Sequence, residues 1–247
     1  MVGTVAAVLS SKRGAVLGAV VAVLIAWTAG AGALPGVGHW PDVLLISLVV
    51  LPLTLTIPLL ALPLSATRTA LPLAAGLLVL AALFSLLGLG ALFNVTKLLA
   101  LTAVGYVFMG IFEALSWLVL VALIIPWVDA LSFWRGPTDY VVSEQPGLFD
   151  RISIAFRLPG EEGSASLGPP DILFFALFLS AAQRFDLRVG WTWVSMVGLL
   201  ALTLILTTEW NVAGLPALPA IAVGFLLPNI DLIWRAWRER GLEVRSD

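Results

Sequence analysis

The sequence predicts an all-α polytopic membrane protein with about eight transmembrane helices, and three observations lead there. Of its 247 residues, 60% are hydrophobic and 11% charged, with a mean hydropathy of +1.06. A water-soluble domain of this length needs far more polar surface than that. The apolar runs also reach the roughly 20 residues that a helix needs to cross the hydrocarbon core. Finally, charged residues, Pro or Gly bound each run, as span ends require. Other classes fall away on composition: no Cys is present, so there is no disulfide framework, Cys metal site or thiol nucleophile. A net charge of −2 argues against nucleic acid as a partner.

The runs lie at about 14–34, 43–64, 70–92, 98–133, 171–186, 189–208 and 214–234. The first, within "SSKRGAVLGAVVAVLIAWTAGAGAL" (10–34), has the charged start and apolar centre of a signal peptide. Its apolar part is of full membrane length and more spans follow, so it is expected to be a retained first helix. The fourth run, 98–133, would be about 54 Å long as one helix, too long for a single crossing of a roughly 30 Å core. Glu113 sits in its middle and divides it into spans at about 98–113 and 115–134. That makes eight spans, about four of them within 1–114.

Eight spans put both termini on one side of the bilayer. With the N-terminus inside, Lys12, Arg13, Arg68, Arg184, Arg188, Arg235, Arg238, Arg240 and Arg245 lie inside. Lys97, Arg135, Arg151 and Arg157 lie outside. This bias satisfies the positive-inside rule for cytoplasmic termini in a cell-membrane protein. Trp40, Trp134, Trp210 and Trp234 fall near the expected interfaces. The tail, 236–247, continues the basic "WRAWRER" (234–240) and is expected to lie along the inner surface.

Two carboxylates then stand out. Asp129 lies about five residues, roughly 8 Å, before its span exits outward. Asp171 opens the next span from the same outer side, so parity alone sets both at similar depth on one face. An acid this deep in apolar sequence usually serves a function. The structural alternative is that Asp129 snorkels and that Asp171 caps its helix, with Pro170 in the first turn. From the same side, "AGLPALPAIAVGFLLP" (213–228) opens the last span. Its Pro216 and Pro219 bracket Ala217 and Leu218 and preclude a regular helical turn, and irregular backbone at membrane depth must be buried or line a cavity.

The loop between the two acids is expected to form a β-hairpin. "RISIAFRL" (151–158) alternates, with Ile152, Ile154, Phe156 and Leu158 on one face, and "DYVVSE" (139–144) is the expected partner. An amphipathic loop lying on the membrane is the alternative. His39 is the chain's lone His, so it makes no metal site. Glu113 is assigned to an interface. Asn229 and Asp231 are expected to end the last helix rather than to bind an ion.

With these residues in hand, the sequence resembles the presenilin and signal peptide peptidase family of intramembrane aspartyl proteases. "LPALP" (215–219) is similar to that family's PAL signature. "DALSFWRGP" (129–137) looks like the stretch after its first catalytic Asp, and "SLGPPDILFFALF" (166–178) resembles the segment carrying its second. The three motifs occur in the family's order, over roughly 115–234. The resemblance implies a presenilin-like bundle whose catalytic half is 115–235. It also implies a dyad of Asp129 and Asp171, with Gly168, Pro216, Ala217, Leu218 and Pro219 about the substrate. It implies no metal and no cofactor, and a substrate that is a transmembrane peptide, a membrane protein or a remnant signal peptide. The sequence departs from the family at Pro170, where the pattern Gly-x-Gly-Asp has Gly, and at Val128, usually Tyr. The family commonly has nine spans. An inactive relative that keeps the fold as a scaffold and a small proton- or cation-coupled transporter are the competing readings.

Overall fold

Helix α1 (Lys12–Gly30) starts where the Ser11 hydroxyl accepts the Gly14 N–H at 3.2 Å, and a 3₁₀ turn over Ala31–Ala33 extends it. The structure is a computed structural model that describes residues 11–65, 69–135, 151–160, 164–210 and 216–243. The second span is one rod built from α2 (His39–Leu45), a π turn (Ile46–Val50), α3 (Leu51–Ala61) and a closing 3₁₀ turn (Leu62–Leu64). The π turn ends two residues before Pro52. Proline has no N–H and its ring crowds the preceding turn, and the wider π turn, with the Leu51 N–H reaching the Ile46 carbonyl, gives it room.

Helices α4 (Ala70–Leu86) and α5 (Gly90–Met109) form an antiparallel pair. Here the boundaries inferred from sequence are wrong. The chain reverses at 87–89, where Gly88 takes a φ of +70° that favours glycine, and not between 92 and 98. The polar "NVTK" (94–97) therefore lies inside α5, where Asn94 and Lys97 find partners in the loop between the Asp-bearing helices. The split at Glu113 stands: α5 ends at Met109, Glu113 is exposed in the turn, and α6 runs from Leu115 to Arg135.

The expected hairpin is present in that loop, with a different partner. Strand β1 (Ile154–Arg157) pairs antiparallel with β2 (Ser164–Leu167), in the register Ile154 to Leu167 and Phe156 to Ala165. Ile154 and Phe156 face inward, as the alternation requires, while Ile152 lies before the strand and is exposed. Residues 139–144, the expected partner, are outside the described residues, as are Arg68, Arg245 and Leu215. Gly160 in the hairpin turn has a φ of +66°, and its N–H donates to the Ala31 carbonyl at 3.2 Å. A Cβ there would come within 2.5 Å of the Gly36 nitrogen, so glycine lets the turn dock on the α1–α2 connection.

Helix α7 (Pro169–Arg184) comes directly after β2, then α8 (Val189–Glu209), α9 (Leu218–Leu226), a 3₁₀ turn (Leu227–Asn229) and α10 (Ile230–Glu243). From Phe175 to Ala182, α7 is buried on every side, the condition of a helix at the centre of a bundle. It packs on α3, α5, α6, α8 and α9. Phe178 stacks on Phe225 of α9 with ring centroids 4.7 Å apart.

Large apolar side chains cover the outside, among them Leu86, Val79, Trp127 and Trp191. A surface of this kind fits lipid rather than water. Among the described residues, six stretches are long and apolar enough to cross a membrane: 12–33, 39–64, 90–109, 115–132, 189–209 and 218–238. The chain is thus a multi-pass membrane protein. By length the count is six and not eight, because α4 with 17 residues and α7 with 16 are shorter.

The α5–α7 contact is close because Gly105 has no side chain. A Cβ there would lie 2.5 Å from the Leu173 carbonyl oxygen and 2.8 Å from the Ala176 Cβ. Gly105→Ala is expected to destabilise the protein by about 1–3 kcal/mol through overpacking. Gly76→Ala on α4, where nothing lies within 4 Å of the new carbon, should be neutral or slightly stabilising. Thermal unfolding of the two variants in detergent checks the contrast.

Candidate functional site

Asp129 stands in the last two turns of α6, one turn after Pro126. Proline contributes no N–H, so the Ala122 carbonyl has no helical donor at that point. Trp127, Val128 and Leu131 around it are exposed, while Asp129 itself is half-buried. Its Oδ2 accepts the Leu218 N–H at 3.1 Å. Leu218 is the first residue of α9, whose N-cap Ala217 offers no side-chain oxygen. The carboxylate of one helix thus satisfies a free donor at the positive end of another.

The "LPALP" segment lies at this contact, with one correction to its expected form. Pro216 and Ala217 are non-helical, but Leu218 and Pro219 already belong to α9. Proline is tolerated in a first turn, where the backbone N–H has no partner to lose. The irregular stretch is therefore shorter than the spacing of the two prolines suggested.

Asp171 is the third residue of α7, after Pro169 and Pro170, and is half-buried. Its Oδ2 accepts the N–H of Gly168, the N-cap, at 2.9 Å, and its own N–H donates to the Gly168 carbonyl at 3.2 Å. A Cβ on Gly168 would lie 3.2 Å from that same Oδ2, so glycine leaves the carboxylate uncovered. Asp171 does cap its helix, as the structural alternative held. Helices α6, α7 and α9 pack against one another, and the Asp129 and Asp171 carboxylates are near enough to interact electrostatically. Asp129, Asp171, Gly168 and Pro216–Pro219 thus belong to one region, at the end of the bundle where the hairpin sits.

The hairpin reaches this region through β2, which leads into Gly168 without a break. Its two edges differ. The Asn94 side chain on α5 binds the outer edge of β1 on both counts: Nδ2 donates to the Ala155 carbonyl at 2.9 Å, and Oδ1 accepts the Ala155 N–H at 3.0 Å. Lys97 Nζ donates to the Arg151 carbonyl at 2.8 Å and to the Ser153 carbonyl. Helix α5 therefore closes β1. Because both Ala155 backbone groups point to Asn94, Ala155 and Ser166 form a non-hydrogen-bonded pair, and the Ser166 N–H and C=O face away from β1. Nothing among the described residues bonds them.

Asn94 had no role in the reading of the sequence, and Lys97 only that of a basic residue outside the spans. The available signal was their spacing, three apart on one face of an apolar helix, where a polar group needs a partner. At the opposite end of the bundle, Asn229 and Asp231 do not end the helix. Asn229 accepts the Arg188 N–H at 2.9 Å and donates to Thr192 Oγ1 at 2.8 Å and to the Phe225 carbonyl. Asp231 forms a bidentate pair with Arg188, and the chain continues as α10. Comparison with protein-family models, with curated proteins and with solved structures returned no match.

Proposed function

We propose that this protein is a presenilin-like intramembrane aspartyl protease, hydrolysing peptide bonds within transmembrane segments or remnant signal peptides. The observation that carries the reading is the meeting of Asp129, Asp171 and the start of α9, with the Leu218 N–H on Asp129. Two neighbouring carboxylates in a site of low polarity share one proton. The ionised one takes a proton from a water as it attacks the peptide carbonyl. The protonated one stabilises the developing oxyanion and later protonates the leaving amine. Neither step requires a metal or a cofactor.

Two features suit a substrate that arrives from the bilayer. The stretch 115–132 of α6 is 17% buried, the least of the six spans, so a neighbouring helix can approach Asp129 from the side. The far edge of β2, unpaired among the described residues, can hold an unwound segment extended by strand addition, and its direction leads to Asp171. In this reading α4 and α7 also cross, giving eight spans in a presenilin-like bundle with both termini in the cytoplasm. A reporter fused after Asp247 should then be active only in the cytoplasm, and one inserted near Gly160 only outside. The reverse pattern would overturn the orientation.

The direct test is incubation of the detergent-purified protein with a generic transmembrane peptide, with and without an aspartyl-protease transition-state analogue. Cleavage that the analogue blocks is expected. One set of observations favours a second reading, an inactive scaffold. Each acid meets a helix N-terminus, Asp171 capping α7 and Asp129 binding α9, which is reason enough to keep both without catalysis. Pro170 in place of Gly points the same way. Inertness towards every peptide tried would favour the scaffold.

A further inference from the structure

At the end of α7 remote from Asp171 lies a cavity of about 610 Å³, with Ser65, Leu71, Val107, Ser180, Gln183 and Arg184 in its wall. No carboxylate among the described residues lines it. Arg184 Nη1 donates to the Met109 carbonyl at 3.2 Å, and its guanidinium lies 5.7 Å from the Phe185 ring centroid, so the head group is held in place. Arg188, four residues on, is taken up by Asp231 in the one ion pair among the described residues. Among the described residues Arg184 has no such acid, and the other N–H groups of its fork remain for a ligand. The Ser65 hydroxyl and the Gln183 amide add neutral donors. The cavity is within the usual size of ligand sites.

The apolar part of the wall continues outward. Leu71 is 65% exposed, and beyond it Leu78, Val79, Leu83 and Leu86 present a run of exposed apolar side chains along α4. A polar pocket with one positive charge thus opens onto a track suited to hydrocarbon. We propose that this cavity binds an anionic glycerophospholipid, with its phosphate on Arg184, Gln183 and Ser65 and its acyl chains along α4. A planar guanidinium matches two phosphate oxygens at once. A free phosphate ester would use the same donors but gain nothing from α4.

The test is the thermal unfolding of the detergent-purified full chain, titrated with phosphatidylglycerol, phosphatidylcholine or glycerol 3-phosphate. Phosphatidylglycerol should raise the midpoint in a saturable way, phosphatidylcholine should do so far less, and glycerol 3-phosphate not at all. Arg184→Gln should weaken the phosphatidylglycerol response roughly tenfold, as expected for loss of a charged pair of about 1.4 kcal/mol. Val107→Trp, which fills the cavity and leaves Arg184 in place, should weaken it as well and decides the matter if the first variant does not fold. Equal responses to the two lipids, or a full phosphatidylglycerol response in either folded variant, would overturn the proposal. An equal effect of glycerol 3-phosphate would replace the lipid with a soluble phosphate ester.

Discussion

Asp129→Asn and Asp171→Asn are each expected to abolish cleavage of a transmembrane peptide, with losses of at least about 10²–10⁴-fold. Neither half of a dyad can perform both proton transfers, and an amide does not exchange the proton. The substitution suits this site because the structural duties of both acids survive it. Asparagine can still accept the Leu218 N–H at 129 and the Gly168 N–H at 171, so both helix starts keep their partners. The unfolding midpoints should stay close to wild type, which separates lost chemistry from lost structure. Pro170→Gly belongs in the same series. Pro170 is exposed in the first turn of α7, where its missing N–H costs the helix nothing. Glycine there should raise activity, if the ring only hinders close approach of the substrate backbone. Peptide release assayed by mass spectrometry gives the result. Cleavage that persists in both Asn variants would remove the dyad from the mechanism. Proton or cation flux lost in the same two variants would support a transporter instead.

Ser166→Pro is expected to cut kcat/KM by roughly 5–150-fold, the effect of about 1–3 kcal/mol from one backbone hydrogen bond in a dry site. The expectation rests on register. Ile154–Leu167 and Phe156–Ala165 are the pairs that exchange hydrogen bonds within the hairpin, and the Ser166 N–H points away from β1, to an edge that nothing among the described residues pairs. Proline at an edge position whose N–H faces outward leaves the internal ladder intact. A substrate strand pairing with β2 would lose a donor, and the fold would not. Ser166→Ala keeps the N–H and should retain full activity. Equal activity of the two variants would show that the substrate does not add to this edge.

Much of the architecture was legible because it depends on local pattern. The length of the apolar runs identifies the membrane class, and Glu113 marks a real turn because a charge has nowhere to pair in the middle of that run. Lys97 marked the start of a run by the same logic and misled the reading, since it lies inside α5 with partners 54 or more residues away, at Arg151 and Ser153 just before β1. Asp129 and Asp171 could be placed at similar depth by parity. That they come into one region depends on the packing of α6, α7 and α9.

The sequence by itself determined that this chain is a multi-pass membrane protein, and which loop carries a strand. Those properties come from residue-level transfer energies and from periodicities of 3.6 and 2. Only the tertiary structure decided that β1 pairs with Ser164–Leu167, that Asn94 closes the outer edge of β1, and that Leu218 of the "LPALP" segment donates to Asp129. Each is a contact between distant parts of the chain. A backbone group buried in hydrocarbon must find a partner, but its own sequence neighbourhood does not say which one.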